Sequence, residues 1–279
     1  MARLAGRHSK CRAEYNPGMK SAEPVATSIH ELVPQVANLR AHWLAWGSSS
    51  GPDADPALYR SGLPHRLLNG VLSVRECPVE DAAAEAEKQL SGLPWRWWIG
   101  PDSDPGVAHV LEGRGYARIG SMPIMAARLD KVPEPPLPVG LTVERVDTSE
   151  RPADYVDAYA SSFGVGPDLR DAVIDAEAGL RTDLGHLIRL VGRIDGRAVA
   201  TSAVLVSNGV AGLYWIGTDP AYRGRGIGAA LTAAAMAIGR EHGISVCTLQ
   251  ASSQGLPVYS RLGFMQVSEV VLYSPPSVP

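Results

Sequence analysis

Lysine is nearly missing from this chain. Only Lys10, Lys20, Lys88 and Lys131 occur in 279 residues, so arginine supplies almost all of the positive charge. Basic and acidic residues, 26 and 29, nearly cancel to a net charge of −3, and no global basic field argues for a nucleic-acid partner. Cysteine is scarce too. Cys11, Cys77 and Cys247 are scattered, odd in number and without metal-ligand spacing, which excludes a disulfide framework and points to reduced thiols in a cytoplasmic protein. No apolar run reaches membrane-spanning length, so no membrane association is expected. The first two dozen residues are basic and polar without the hydrophobic stretch of a secretory signal. Residues 1–24 read as a disordered leader and 274–279 as a disordered tail.

What is present is glycine, concentrated where it matters. Tyr222-Arg223-Gly224-Arg225-Gly226-Ile227-Gly228 strips side chains from a loop, and an alanine-rich apolar run to His242 follows as a predicted helix. Bare N–H groups converging on the positive end of a helix dipole suit a pyrophosphate. Before the loop, Ala211 to Thr218 is strand-like in its aromatic and β-branched content, and Asp219-Pro220 ends it. After the helix, Ser245 to Gln250 reads as a strand. A polar loop then leads to a short helix with Pro257 in its first turn and Gly263 at its end. A dinucleotide fingerprint fails because Asp219 to Arg223 intervene after the strand and no carboxylate lies near Leu249. A P-loop fails because this loop has no lysine.

Arg223 to Gly228 resembles the Arg/Gln-x-x-Gly-x-Gly/Ala loop of the GNAT acyl-CoA N-acyltransferase superfamily. Thr218 to Tyr222 resembles that family's lead-in, and Tyr259 to Phe264 its tyrosine–leucine–glycine–phenylalanine segment. The resemblance spans Leu141 to Tyr273. It implies a mixed α/β sheet in the order β-α-α-β-β-β-α-β-α-β-β, acetyl-CoA as co-substrate, no metal, and transfer of an acetyl or other short acyl group to a small-molecule amine. Arg223, Gly224, Arg225, Gly226, Ile227, Gly228 and Ala229 would hold the pyrophosphate. Ile216, Gly217 and Thr218 would meet the pantetheine arm, one of their N–H groups facing the thioester carbonyl, and Ser252 joins the cofactor-binding set. Gly217 fits close approach of a ligand to a strand.

Tyr259 is the expected general acid for the leaving thiolate. Tyrosine titrates near ~10 and a thiol near ~8.5, so donation costs about 2 kcal/mol. A helix N-terminus could return about 0.3–1 kcal/mol. No general base is assigned: Asp219 reads as a turn residue, and His186 and His242 as surface or cap histidines. Two rival readings stay open, an aminoacyl-tRNA-dependent acyltransferase on the same fold and a non-catalytic CoA-binding or scaffold protein.

The prolines from Pro133 to Pro138 mark a linker at 132–140 between an N-terminal domain, 25–131, and a catalytic domain, 141–273. Each half is long enough to bury a core of its own. The halves look related. His109 to Tyr116 matches Pro257 to Phe264 with Gly115 over Gly263, and Trp97 to Ser103 matches Thr248 to Ser252, which implies a degenerate tandem duplication. In the N-terminal copy Leu111 replaces Tyr259. Val74 to Asp81 has no glycine and carries carboxylates where a pyrophosphate would sit, so this half is expected to bind no CoA. Paired halves within one chain favour a monomer, with a homodimer as the alternative. Trp95, Trp97 and Trp98 are expected in the core. Asp154, Asp157, Asp168, Asp171, Asp175 and Glu177 form either a solvated helix face or a steering field for a cationic amine.

Overall fold

A computed structural model of the chain describes residues 24–47, 51, 53–131, 135–146 and 152–276. The expected leader thus lies outside the described residues except for Pro24, and so do 132–134 of the linker. Ser274, expected in the tail, instead ends a strand.

Hairpin chemistry shapes the C-terminal half. Asp195-Gly196 and Asn208-Gly209 all have positive φ, which two-residue turns require. They join β6 (His186–Ile194), β7 (Arg197–Ser207) and β8 (Val210–Thr218) into an antiparallel meander. Ahead of it lie β5 (Leu141–Val146), α4 (Pro152–Phe163) and α5 (Arg170–Ala178). After it come α6 (Ile227–Glu241), β9 (Val246–Gln250), α7 (Leu256–Arg261) and β10 (Met265–Ser274). The expected closing pair of strands is therefore a single strand. The N-terminal half runs α1 (Leu32–Leu44), β1 (Ala57–Arg60), β2 (Asn69–Ser73), α2 (Val79–Gln89), β3 (Arg96–Ile99), α3 (Val107–Gly113) and β4 (Ala117–Arg128).

Among the described residues, the ten strands form one sheet, ordered β1-β2-β3-β10-β4-β9-β8-β7-β6-β5. Of these described strands, β2–β3 and β8–β9 pair in parallel, and each pair is bridged by a helix, α2 or α6. β10 pairs with β3 and β4, while β4 pairs with β10 and β9. Each half thus lends its last strand to the other. This exchange explains the missing final strand: the place it would fill beside β9 is taken by β4.

The duplicated segments keep the same local bonding. Tyr116 N–H donates to Leu111 O at 3.0 Å, and Phe264 N–H to Tyr259 O at 3.0 Å. Gly115 and Gly263, at φ +83° and +87°, end α3 and α7 in the same way. Two related halves are therefore present, but they do not keep separate cores. One apolar layer gathers Leu39 and Leu44 of α1, Tyr155 and Tyr159 of α4, Trp98 of β3, and Leu272 of β10. On the opposite face α6 and α7 cover the C-terminal strands, and α2 with α3 covers β2 and β3. Trp95, Trp97 and Trp98 are buried, as expected of large aromatics.

Candidate active site

The glycine loop after β8 is built for an anion. Gly224 and Gly226 take φ +75° and +83°, which β-carbon-bearing residues avoid, and Gly226 caps α6. Among the described residues, no acceptor meets the N–H groups of residues 224–229; the first backbone bond of the helix runs from Ala230 N to Gly226 O. These are the orphan donors of a helix start, on a 15-residue helix. Space lies open above them. A Cβ at Gly224 would meet nothing within 4 Å, and one at Gly226 or Gly228 nothing closer than 3.7 Å. The residues present therefore fit a pyrophosphate held by backbone donors. The arginine side chains turn to the protein instead. Arg223 Nε donates to Thr218 O at 3.0 Å, and Arg225 lies over the Tyr222 ring at 5.1 Å.

Beside the loop the sheet opens. β8 and β9 pair only through Ala211–Cys247 and Gly212–Thr248, then diverge toward their C-terminal ends. In the diverging part β8 carries a bulge: its register with β7 shifts between Thr201 and Ala203, and Trp215 takes φ +50°. Thr201 Oγ1 donates to Trp215 O at 2.7 Å and helps to pin it. The bulge turns the strand at Ile216–Thr218, where the pantetheine arm was expected. Gly217 has a further physical reason beside the expected ligand approach. A Cβ there would meet Phe163 and Ser162 of α4 at 3.0 Å, so the glycine lets helix α4 close on the strand.

Tyr259 stands on α7, only 8% exposed, with its ring 5.9 Å from Phe264. Burial pushes its hydroxyl up to about 12, the reverse of the relief expected from a helix start. The glycine at 255 makes room for that ring, since a Cβ there would lie 2.6 Å from it. Ser252 begins the same turn. Its Oγ accepts from Gly255 N at 3.1 Å and its carbonyl from Leu256 N at 2.9 Å, so its hydroxyl serves the helix start.

The acetyltransferase (GNAT) domain family matches residues 186–266, the span from β6 through the glycine loop and Tyr259 to the start of β10. The C-terminal half has the GNAT fold. The chain is 27% identical over 230 residues to the mycothiol acetyltransferase of Clavibacter michiganensis, covering 78% of this chain and 69% of that one. It is equally identical over 227 residues to that of Actinosynnema mirum, covering 78% and 72%. A GCN5-related N-acetyltransferase from Kribbella flavida shares the fold at TM-score 0.66 and 19% identity, over 91% of this chain and 98% of that one. A tandem GNAT protein from the clavulanic acid biosynthesis pathway does so at TM-score 0.59 and 17%, over 92% and 98%. The chain is an acyltransferase, and GNAT domains draw their acetyl group from acetyl-CoA.

The N-terminal copy shows how such a loop is lost. Ahead of α2, where the GNAT domain has its glycines, the N–H groups of Arg75, Glu76 and Cys77 all donate to the Asp55 carboxylate, at 2.5–2.9 Å. An internal anion fills the nest. Glu80 and Asp81 follow in the first turn of α2.

Around the GNAT domain's bulge the walls are aromatic, a feature the strand pattern did not reveal. Tyr159 stacks on Trp215 at 4.7 Å, Phe163 meets it edge-on, and Trp43 of α1 and Trp46 just beyond that helix also approach it. His42 lies flat on Tyr214 at 3.7 Å. The acids of α4 and α5 are largely spoken for. Asp154 pairs with Arg193, and Asp157 and Asp171 with Arg170. Glu177, 1% exposed, binds Arg189 at 2.6 Å and accepts from Tyr159 at 3.2 Å. Burial lifts its carboxyl above the ordinary range while Arg189 pulls it back. These pairings favour a structural face over a steering field. Asp219 caps its turn, accepting from Ala221 N, and pairs with Arg197. His242 caps the far end of α6, about 22 Å of helix from the glycine loop, with His186 beside it.

Proposed function

We propose that the chain transfers an acetyl group from acetyl-CoA to the amine of a small molecule by direct attack, at a single site in the C-terminal half. The observation that carries this reading is the open cradle of unpaired N–H groups at residues 224–229, set beside the splayed ends of β8 and β9. In it, the backbone from Arg223 to Ala229 binds the pyrophosphate, with the helix dipole behind it. Ile216, Gly217 and Thr218 on the turned strand meet the pantetheine arm, and an N–H of this segment polarises the thioester carbonyl. The amine attacks the carbonyl carbon, the C–S bond breaks, and Tyr259 gives its proton to the leaving sulfur; the nitrogen releases its surplus proton to solvent, from which Tyr259 is reprotonated. With the hydroxyl near 12 and a thiol near ~8.5, full proton transfer ahead of bond breaking is uphill by roughly 5 kcal/mol. The proton therefore moves as the C–S bond breaks. Ser252 borders this site through the α7 turn. The relatives named for mycothiol favour a small acceptor over a protein lysine.

Calorimetric titration and thermal unfolding with acetyl-CoA test the reading. One acetyl-CoA per chain is expected, because Asp55 occupies the N-terminal nest. A hundredfold excess over Kd adds about 2.7 kcal/mol of stability. Gly226→Asp, which places a carboxylate in the cradle, should abolish both signals while the far-UV spectrum is kept. Absence of binding by the wild type would put the aminoacyl-tRNA and scaffold readings ahead. Two equivalents would overturn the single-site assignment.

A further inference from the structure

The N-terminal half holds a cleft of about 1120 Å³ that shares no residue with the glycine loop, the β8 bulge or Tyr259. It is lined by the loop ahead of β2, the end of α2, its connection to the start of β3, and the last residues of β10. Its walls are mostly apolar, with Leu90, Leu93, Trp95, Ile119, Leu272 and Pro275 among them. Its volume suits a drug-sized organic molecule.

Its charge is lopsided. Three arginines, Arg66, Arg96 and Arg114, face one carboxylate, Glu87. Glu87 is already taken, by Arg114 at 2.7 Å and by the Tyr116 hydroxyl at 3.1 Å. Arg66 and Arg96 have no hydrogen-bonded or ion-paired partner among the described residues. Arg96 is 92% withdrawn from solvent, at 8% exposure, and its Nε is buried without an acceptor. What Arg96 does have is a ring: its guanidinium lies 5.9 Å from the centroid of Trp98. Burying an unpaired cation costs free energy that a stacked indole offsets only in part. Burial and the neighbouring Arg66 both hold the Arg96 guanidinium below its ordinary range.

The position is built rather than incidental. Arg66 rides on a loop that buried Asn69 fastens from inside. Asn69 Oδ1 accepts from Ser61 N at 3.1 Å, and its Nδ2 donates to Leu63 O at 2.8 Å and to Pro94 O at 3.3 Å, the last just ahead of Arg96. The Tyr59 hydroxyl ties the same loop to Leu67 O at 3.0 Å and accepts from Trp98 Nε1 at 3.2 Å. Two arginines, Arg66 exposed and Arg96 buried, are thereby set on tied segments that line one cleft.

We propose that this cleft binds a small organic anion, its carboxylate or phosphate head between Arg66 and Arg96 and its apolar body along Leu93, Ile119 and Leu272. Guanidinium forks match either head group through paired N–H···O bonds, and an apolar body replaces water against the walls. This site is independent of acetyl transfer.

Calorimetric titration of the full chain with octanoate, octyl phosphate and 1-octanol tests it. At least one anion should bind tenfold or more tightly than the alcohol, and the better anion identifies the head group. Arg66→Met should weaken that anion at least fivefold, and Arg96→Met more. Arg66 is exposed, so its variant folds even if the Arg96 variant does not. Gly226→Asp should leave anion binding unchanged. Equal binding of alcohol and anions, no anion binding at millimolar concentration, full affinity in Arg66→Met, or loss of affinity in Gly226→Asp would each overturn the proposal.

Discussion

Two side chains show how burial tunes chemistry at the residue scale. Tyr259 is held neutral by its surroundings, so it remains a proton donor throughout the neutral and moderately alkaline range. Tyr259→Phe should lower kcat by about a hundredfold or more, within the usual range of a lost general acid, and leave acetyl-CoA affinity nearly unchanged. In the wild type the pH–rate profile should show no alkaline fall from this tyrosine below about pH 10.5. A fall near pH 9 that vanishes in Tyr259→Phe would remove it from the role. His42 is the complementary case. Burial first, then Arg189, pushes its imidazole down to about 3, so the folded protein keeps it neutral on Tyr214. The unfolded chain protonates it near ~6.5, so stability from this site is intact above that pH and drains away as pH falls toward 3. By pH 5 the loss is about 2 kcal/mol. Denaturant melts at pH 7 and pH 5 should differ by that much less in His42→Phe than in the wild type; equal differences would show that His42 carries no such linkage.

At the scale of elements, α1 acts as a cover for the GNAT domain's sheet although it precedes that domain by about a hundred residues. Asn38 fastens it: its Nδ2 donates to Leu205 O at 3.0 Å and Ser207 Oγ at 2.9 Å, and its Oδ1 accepts from the Tyr214 hydroxyl at 2.7 Å. Gly212 permits the close approach, since a Cβ there would lie 1.9 Å from Asn38 Oδ1. Gly212→Ala should cost roughly 1–3 kcal/mol by overpacking, read as a lower urea midpoint. An unchanged midpoint would mean that α1 yields freely. The elements most legible in the sequence were those specified by nearby residues. Asp195-Gly196 and Asn208-Gly209 place the hairpins, and the glycines of the loop carry the φ values their chemistry allows. What could not be read depended on distant partners. Trp215 looks like an ordinary strand residue, because its left-handed φ accompanies the bulge against β7, where Thr201 reaches its carbonyl. That Gly217 also makes room for α4 could not be read, because α4 lies more than fifty residues upstream. The aromatic wall combines α1, α4 and β8, and no local periodicity announces it.

Over the whole molecule, the exchange of β4 and β10 makes the two halves hold each other in shape. Without β4, the edges of β9 and β10 that it joins lie bare; without β10, those of β3 and β4 do. Bare edges invite pairing with other chains. Fragments 24–131 and 135–279 made separately should therefore aggregate or lack a cooperative melt, and should recover acetyl-CoA binding when refolded together. A C-terminal fragment that melts cooperatively and binds acetyl-CoA alone would contradict this interdependence. The same exchange also sets a timetable for biosynthesis. Domains generally fold in order as they leave the ribosome, the first while the second is still being made. Here the N-terminal sheet must wait for residues 265–274, an interval on the order of ten seconds at ordinary translation rates. During that wait the open edge of β3 is a target for chaperones, and slower translation lengthens the exposure.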